Sequence, residues 1–317
     1  MNQEIDYITI LCGEFHDGYT PMTRAEFWKL YHKYDDSIQK LVESDEEKVQ
    51  QLMKRNGAVA FSIEKLRQMG VRVVTFMDED YPERLRTVLK DFAAPLFYVA
   101  GDSALNKGKY TGYVGSRSVE EKDVNWTERM VRKNVQDGFG VVTGGAQGVD
   151  SFAMKYALDN GGNVILYLPD NMKEKLKEPE ILRGIMNGRI LAYSHISPLA
   201  PQSRYTFVAS AMERNKFIYA HNGSAVVVRS DLEKGGTWGG ATEAMKHHWA
   251  VVYVRNDEQC PGNQGLIKLG GIPLSEDGTV LDKEMVRTAM ENLDKQEEET
   301  RQLSLFDIID QTIHEVR

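Results

Sequence analysis

The sequence predicts an α/β fold: a Rossmann-like, mostly parallel sheet with helices on both faces, preceded by a small helical module. Three observations carry this. From about residue 110, short apolar and β-branched runs alternate with helical patterns at the spacing of βαβ units. Such alternation implies a parallel sheet covered on both sides. Three of the runs also end in glycine-bearing loops that open the next helix, at the strand ends where open α/β sheets bind ligands.

Residues 1 to about 70 read as helical. In TRAEFWKLYHKY (23–34) apolar side chains recur at helical spacing behind Thr23 as N-cap. The next helix, IQKLVESDEEKVQQLMKRNG, is expected to stop at Gly57, and SIEKLRQMG to run from a Ser62 cap to Gly70. VRVVTF (71–76) is a strand; a turn, a short helix and a second strand follow through PLFYVAGD (95–102). Further strands are expected at 110–116, 140–145, 163–169, 189–195, 224–230 and 250–255, with helices at 119–137, 149–161, 208–222 and 239–249. The expected division is a helical module at 1–72, a Rossmann-like core at 73–280 and an acidic tail at 281–317.

Hydrophobic residues make up 41% of the 317 and charged residues 27%, ordinary for a soluble globular protein. No apolar run is long enough to cross a membrane as a helix. The start, MNQEIDYITILCGEF, lacks a basic n-region, so a cytoplasmic protein is expected. Cys12 and Cys260 stand far apart without neighbouring ligands, which excludes a disulfide framework and a zinc site. His247–His248 has no third ligand at metal spacing. The net charge of −8 argues against coating nucleic acid by bulk charge, though not against a local basic groove.

The glycine loops are VGSR (114–117), TGGAQGVD (143–150) and KGGTWGGATE (234–243). Glycine lets backbone approach a ligand closely, and helix N-terminal N–H groups favour anions. The second loop is spaced G-G-x-x-G, not as a dinucleotide fingerprint, and no GK[ST] follows any loop, so neither NAD nor ATP is expected. The candidate phosphate-binding residues are Gly115, Ser116 and Arg117; Thr143, Gly144, Gly145, Gln147 and Gly148; Arg214, Asn215 and Lys216 of MERNKF; and Lys234, Gly235, Gly236 and Thr237. Trp238 is either a plug into the core or a platform on which a base stacks.

The order YPERL (81–85), PLFYVAGD, VGSR, TGGAQGVDSFAMKYAL (143–158), Phe207 with RNK (214–216), and a glycine-rich stretch into ATEA (241–244) resembles the DNA-processing protein A (DprA/Smf) family over roughly residues 75–275. The resemblance implies a cytoplasmic, non-enzymatic Rossmann-fold protein that binds single-stranded DNA, dimerises, acts in recombination or DNA uptake, and loads RecA. It places the phosphate-holding roles on Arg117, Arg214 and Lys216. Thr143, Gly145 and Met154 depart from the family pattern, as do Ser194–His195 and GGTWGGATEA, so the branch is a divergent one. Two alternatives stay open. KGGTWGGATE is also similar to the loop of nucleoside-monophosphate phosphoribohydrolases, which would make Glu243 a catalytic carboxylate cleaving an N-glycosidic bond. A regulatory or antiphage module on the same fold is the other.

QLSLF, in the acidic tail, resembles the pentapeptide by which bacterial replication and repair proteins dock on the sliding clamp. Leu303, Leu305 and Phe306 would fill apolar pockets and Gln302 would make polar contacts. The competing reading is a short segment that packs on the protein's own body.

Overall fold

The computed structural model describes residues 3–15, 17–169, 172–200 and 204–298; the QLSLF peptide lies outside them. The N-terminal module holds α1 (Gln3–Cys12), α2 (Arg24–Lys33), α3 (Ile38–Val42), α4 (Glu47–Met53) and α5 (Asn56–Gln68). Thr23 caps α2 as expected, in a capping box with Glu26. The next two expected boundaries differ. The 38–57 segment breaks into α3 and α4, and Gly57 lies in the first turn of α5. Ser62 is a buried residue inside α5, its hydroxyl bonded back to the Ala58 carbonyl at 3.0 Å instead of capping a new helix. Buried Arg55 closes the module. Its Nε donates to the Ile10 carbonyl (2.8 Å) and Nη2 to that of Gly13 (2.6 Å), which satisfies the open C-terminus of α1.

The chain then runs β1 (Arg72–Thr75), α6 (Glu83–Leu89), β2 (Leu96–Ala100), β3 (Lys109–Val114), α7 (Glu121–Gln136), β4 (Phe139–Thr143), α8 (Val149–Asp159), β5 (Val164–Leu168), α9 (Met172–Lys175), α10 (Pro179–Met186), β6 (Ile190–Ser194), α11 (Arg204–Ala220), β7 (Ser224–Val227), α12 (Gly235–Lys246), β8 (Val251–Arg255), α13 (Pro261–Lys268) and β9 (Ile272–Leu274). A last helix, α14, covers 283–298. The strands form one sheet in the order β1-β2-β6-β5-β4-β3-β7-β8-β9. Neighbours from β6 to β9 are parallel, while β2 is antiparallel to both β1 and β6.

The apolar runs are continuous because both faces are covered. In β5, Val164, Leu166 and Leu168 join Trp126 and Val131 of α7, Ala153 of α8 and Ile181 of α10 in one layer. Ile165 and Tyr167 join Leu85 of α6, Phe217 of α11 and Ala241 of α12 in the other. Around Phe97, the rings of Tyr167, Tyr193 and Phe217 lie 5.0–5.9 Å away, tilted or edge-on. Leu11 of α1 and Phe27 of α2 belong to this second layer, so the helical module shares the sheet's core.

β3 has β4 on one side and β7 on the other. The strand order therefore reverses at β3, and the crevice beyond the carboxyl ends of β3 and β7 is where a doubly wound sheet places a ligand.

Candidate functional site

A cleft of about 570 Å³ opens at this crevice. The turn after β3 (Gly115–Ser118) forms one wall and the first turn of α12 (Lys234–Thr237) another; α11 contributes Val208, Ala211, Met212, Arg214, Asn215, Ile218 and Tyr219. The volume lies in the range of small-ligand sites.

Glycines in the first two loops serve mutual close approach. A side chain at Gly115 would collide with Val149 at the start of α8. Gly148 has φ +89°, and a Cβ there would collide with the Ser116 carbonyl and sit 2.7 Å from the Arg117 Cα. Ser116 N–H donates to the Arg229 carbonyl (2.9 Å), and the Ser116 carbonyl accepts from Val149 N–H (3.3 Å). The turn carrying exposed Arg117 is thus wedged between α8 and the segment after β7.

The second loop is occupied from within. Gly144 N–H donates to Asp150 Oδ2 at 3.1 Å. A Cβ at Gly144 would collide with the guanidinium of Arg214, which crosses from α11 to donate to the Tyr167 carbonyl (3.0 Å) and lies 3.8 Å from Asp150. Burial drives the Asp150 carboxyl above the usual carboxylate range; Arg214 and the amides of Ala146 and Gly144 pull it back. Arg214 is only 4% exposed, yet it lines the cleft, and its Nε is buried without a partner among the described residues. A buried donor left open is costly.

The third glycine stretch is a helix and not a loop. Helix α12 begins at Gly235, four residues before the expected start. Gly236 and Gly240, one turn apart, let it approach α11. A Cβ at Gly236 would lie 2.9 Å from Asn215 Nδ2, and one at Gly240 the same distance from Tyr219. Asn215 Nδ2 also donates to the Gly236 carbonyl at 3.0 Å. No side chain caps α12, and its first turn, Gly235, Gly236 and Thr237, lines the cleft as an uncapped helix N-terminus. Arg117, Arg214 and Lys234 surround it, opposed by Asp150 and Asp231.

The structure thus gathers Gly115, Ser116, Arg117, Arg214, Asn215, Lys234, Gly235, Gly236 and Thr237 on one cleft. It places others elsewhere. Lys216 is 5% exposed; its Nζ donates to Glu213 (2.9 Å), which also accepts from Arg24 of α2 (3.0 Å), and lies over the Phe92 ring. It ties the helical module to α11. The half-buried Trp238 ring packs over Gly265 of α13 and against the core, the placement of the plug reading. Glu243 stands about 12 Å along α12 from its N-terminus and does not line the cleft. Thr143, Gly144, Gly145 and Gly148 are buried behind the cleft wall, and Gln147 is exposed outside it. Sequence reasoning missed Val208 and Met212, 57% and 60% exposed, which give α11 an apolar strip inside the cleft. Their four-residue spacing was visible, but helical spacing alone reads as core.

The family model described as DNA recombination-mediator protein A matches residues 72–283. The chain belongs to that family. Its match covers the entire sheet, from β1 to β9, and with it every wall of the cleft. Comparison with curated proteins gave no match. Two solved structures resemble the chain in fold. DNA processing protein A (DprA) from Streptococcus pneumoniae superposes with a TM-score of 0.62 at 19% identity, covering 81% of this chain and 96% of its own. DNA processing protein A from Helicobacter pylori, described for its single-stranded DNA binding mode, gives 0.53 at 20% identity, with 71% and 96% covered.

Proposed function

We propose that the chain binds single-stranded DNA without catalysing a reaction, and that the phosphate backbone crosses the cleft between the first loop and α12. The observation that carries this is the uncapped N-terminus of α12, ringed by Arg117, Arg214 and Lys234. The exposed Val208–Met212 strip beside it suits bases that are not paired, since a duplex would turn its base faces inward. The Helicobacter pylori relative, described as binding single-stranded DNA, supports the same reading. Within it the protein acts in recombination or uptake in the cytoplasm, as a homodimer that hands its strand to RecA; the family likeness supports these roles. The test is fluorescence anisotropy with single-stranded and duplex oligonucleotides across a salt series. Single strands are expected to bind more tightly, with log affinity falling linearly in log salt. Equal affinity for the duplex contradicts the reading. Release of free base from nucleoside monophosphates, absent in Glu243→Gln, would replace it with the hydrolase.

The tail adds a partner. Arg84 Nε donates to Glu297 (2.9 Å), which anchors α14 and brings the chain to within a few residues of QLSLF. We infer that Gln302, Leu303, Leu305 and Phe306 dock on the sliding clamp. Removing residues 300–317 is expected to abolish co-elution with the clamp and leave DNA affinity unchanged. Unchanged co-elution contradicts it.

A further inference from the structure

The first loop is held by a buried ion-pair group outside the cleft. Asp123, in the first turn of α7, is 1% exposed. Its Oδ1 accepts from Arg255 Nη1 at 2.8 Å, and its Oδ2 from Arg229 Nη1 at 3.1 Å and from Glu120 N–H at 2.9 Å. Arg229 also pairs with Glu120 at 2.8 Å, while its own carbonyl receives Ser116 N–H. Arg229 therefore grips both ends of the 116–120 turn, by backbone at Ser116 and by side chain at Glu120 and Asp123. The anchor behind it is rigid. Asn263, fully buried, donates to the Val228 and Arg255 carbonyls and accepts from Ser230 N–H, tying the ends of β7 and β8 to α13. Arg255 is completed by Glu276 at 2.9 Å and by the Trp126 ring.

A buried carboxylate shared by two guanidiniums is a costly feature in a core, and replacing such groups with apolar ones is often neutral for stability. Here the group adds a polar hold on the exposed turn, beside the packing of Val119 on the core and of Val149 under Gly115. We propose that Asp123, acting through Arg229, is the positioning residue for Arg117: it sets the 116–120 turn so that Arg117 meets a phosphate in the cleft. The proposal rests on the cleft being the DNA site.

The experiment measures single-strand affinity across a salt series for Asp123→Asn, Arg229→Met, Arg229→Lys and Arg117→Ala, with thermal unfolding of each. Every single-strand phosphate that the protein ceases to neutralise lowers the salt slope by about 0.7. Arg117→Ala is expected to lower it by that amount. Asp123→Asn and Arg229→Met are expected to reproduce this decrease and to cost nothing further when combined with Arg117→Ala, since the same phosphate is already released. Arg229→Lys is expected to restore part of the affinity. Should Asp123→Asn fail to fold, Arg229→Met decides, because it leaves the Asp123–Arg255 pair intact. Wild-type affinity and slope in Arg229→Met, or decreases that add fully to those of Arg117→Ala, overturn the positioning role. Wild-type binding by Arg117→Ala would instead overturn the cleft as the DNA site, which separates the two failures.

Discussion

Arg117→Ala combined with Lys234→Ala is expected to weaken single-strand binding by about a hundredfold or more, because hydrogen bonds to charged groups contribute roughly 1.5–3 kcal/mol each. The salt slope should fall by about 1.4, the amount for two single-strand phosphates. Both side chains are exposed on the cleft rim, so the fold should survive their removal. Lys216→Ala is the control: that lysine faces Glu213 and Phe92, and its removal should loosen the junction between α2 and α11 without touching the slope. Anisotropy at matched salt reads both the double variant and the control. A slope that falls in Lys216→Ala and holds in the double variant would move the DNA path from the cleft to the α2 side.

The second large effect concerns acid stability. His221, at the end of α11, is buried beneath the sheet, with Nδ1 2.8 Å from the Tyr167 hydroxyl. Burial, with Arg84 acting in the same direction, pushes its imidazole down to about 3. The folded state therefore refuses a proton that the unfolded chain takes up near pH 6.5. Stability from this residue is complete above pH 6.5 and declines as pH falls toward about 3. The loss approaches the full linkage slope only below pH 6.5, so His221 alone should account for roughly 2 kcal/mol between pH 6.5 and 4.5. Urea unfolding of wild type and His221→Gln over that window checks it. The variant should lose stability less steeply; parallel curves would contradict the assignment.

Much of the fold was legible because strand and helix periods differ and the chain keeps them distinct. All eight expected strands are present, since VRVVTF, NVILYLP and their like have no other way to bury both faces. The ninth, Ile272–Leu274, escaped because three residues carry no period. At the site, residue types were more legible than their roles. The glycines of GGTWGGATE signalled close approach, and at Gly236 and Gly240 the close neighbours are Asn215 and Tyr219 of α11. RNK marked a basic stretch, but consecutive helical positions face different directions: Arg214 runs along the cleft floor to the Tyr167 carbonyl, Asn215 points toward α12, and Lys216 toward Phe92. Locally Asp123 reads only as the N3 residue of a capping box, while its guanidinium partners lie more than 100 residues away.

The path of the strand is tested most directly by photo-crosslinking. A single-stranded oligonucleotide carrying 4-thiothymidine, irradiated in complex and mapped by mass spectrometry, should mark the Val208–Met212 strip of α11, the Lys234–Thr237 turn and the 115–118 loop. Crosslinks confined to the helical module or to the α10 face, with none on these three segments, would contradict the cleft as the DNA site.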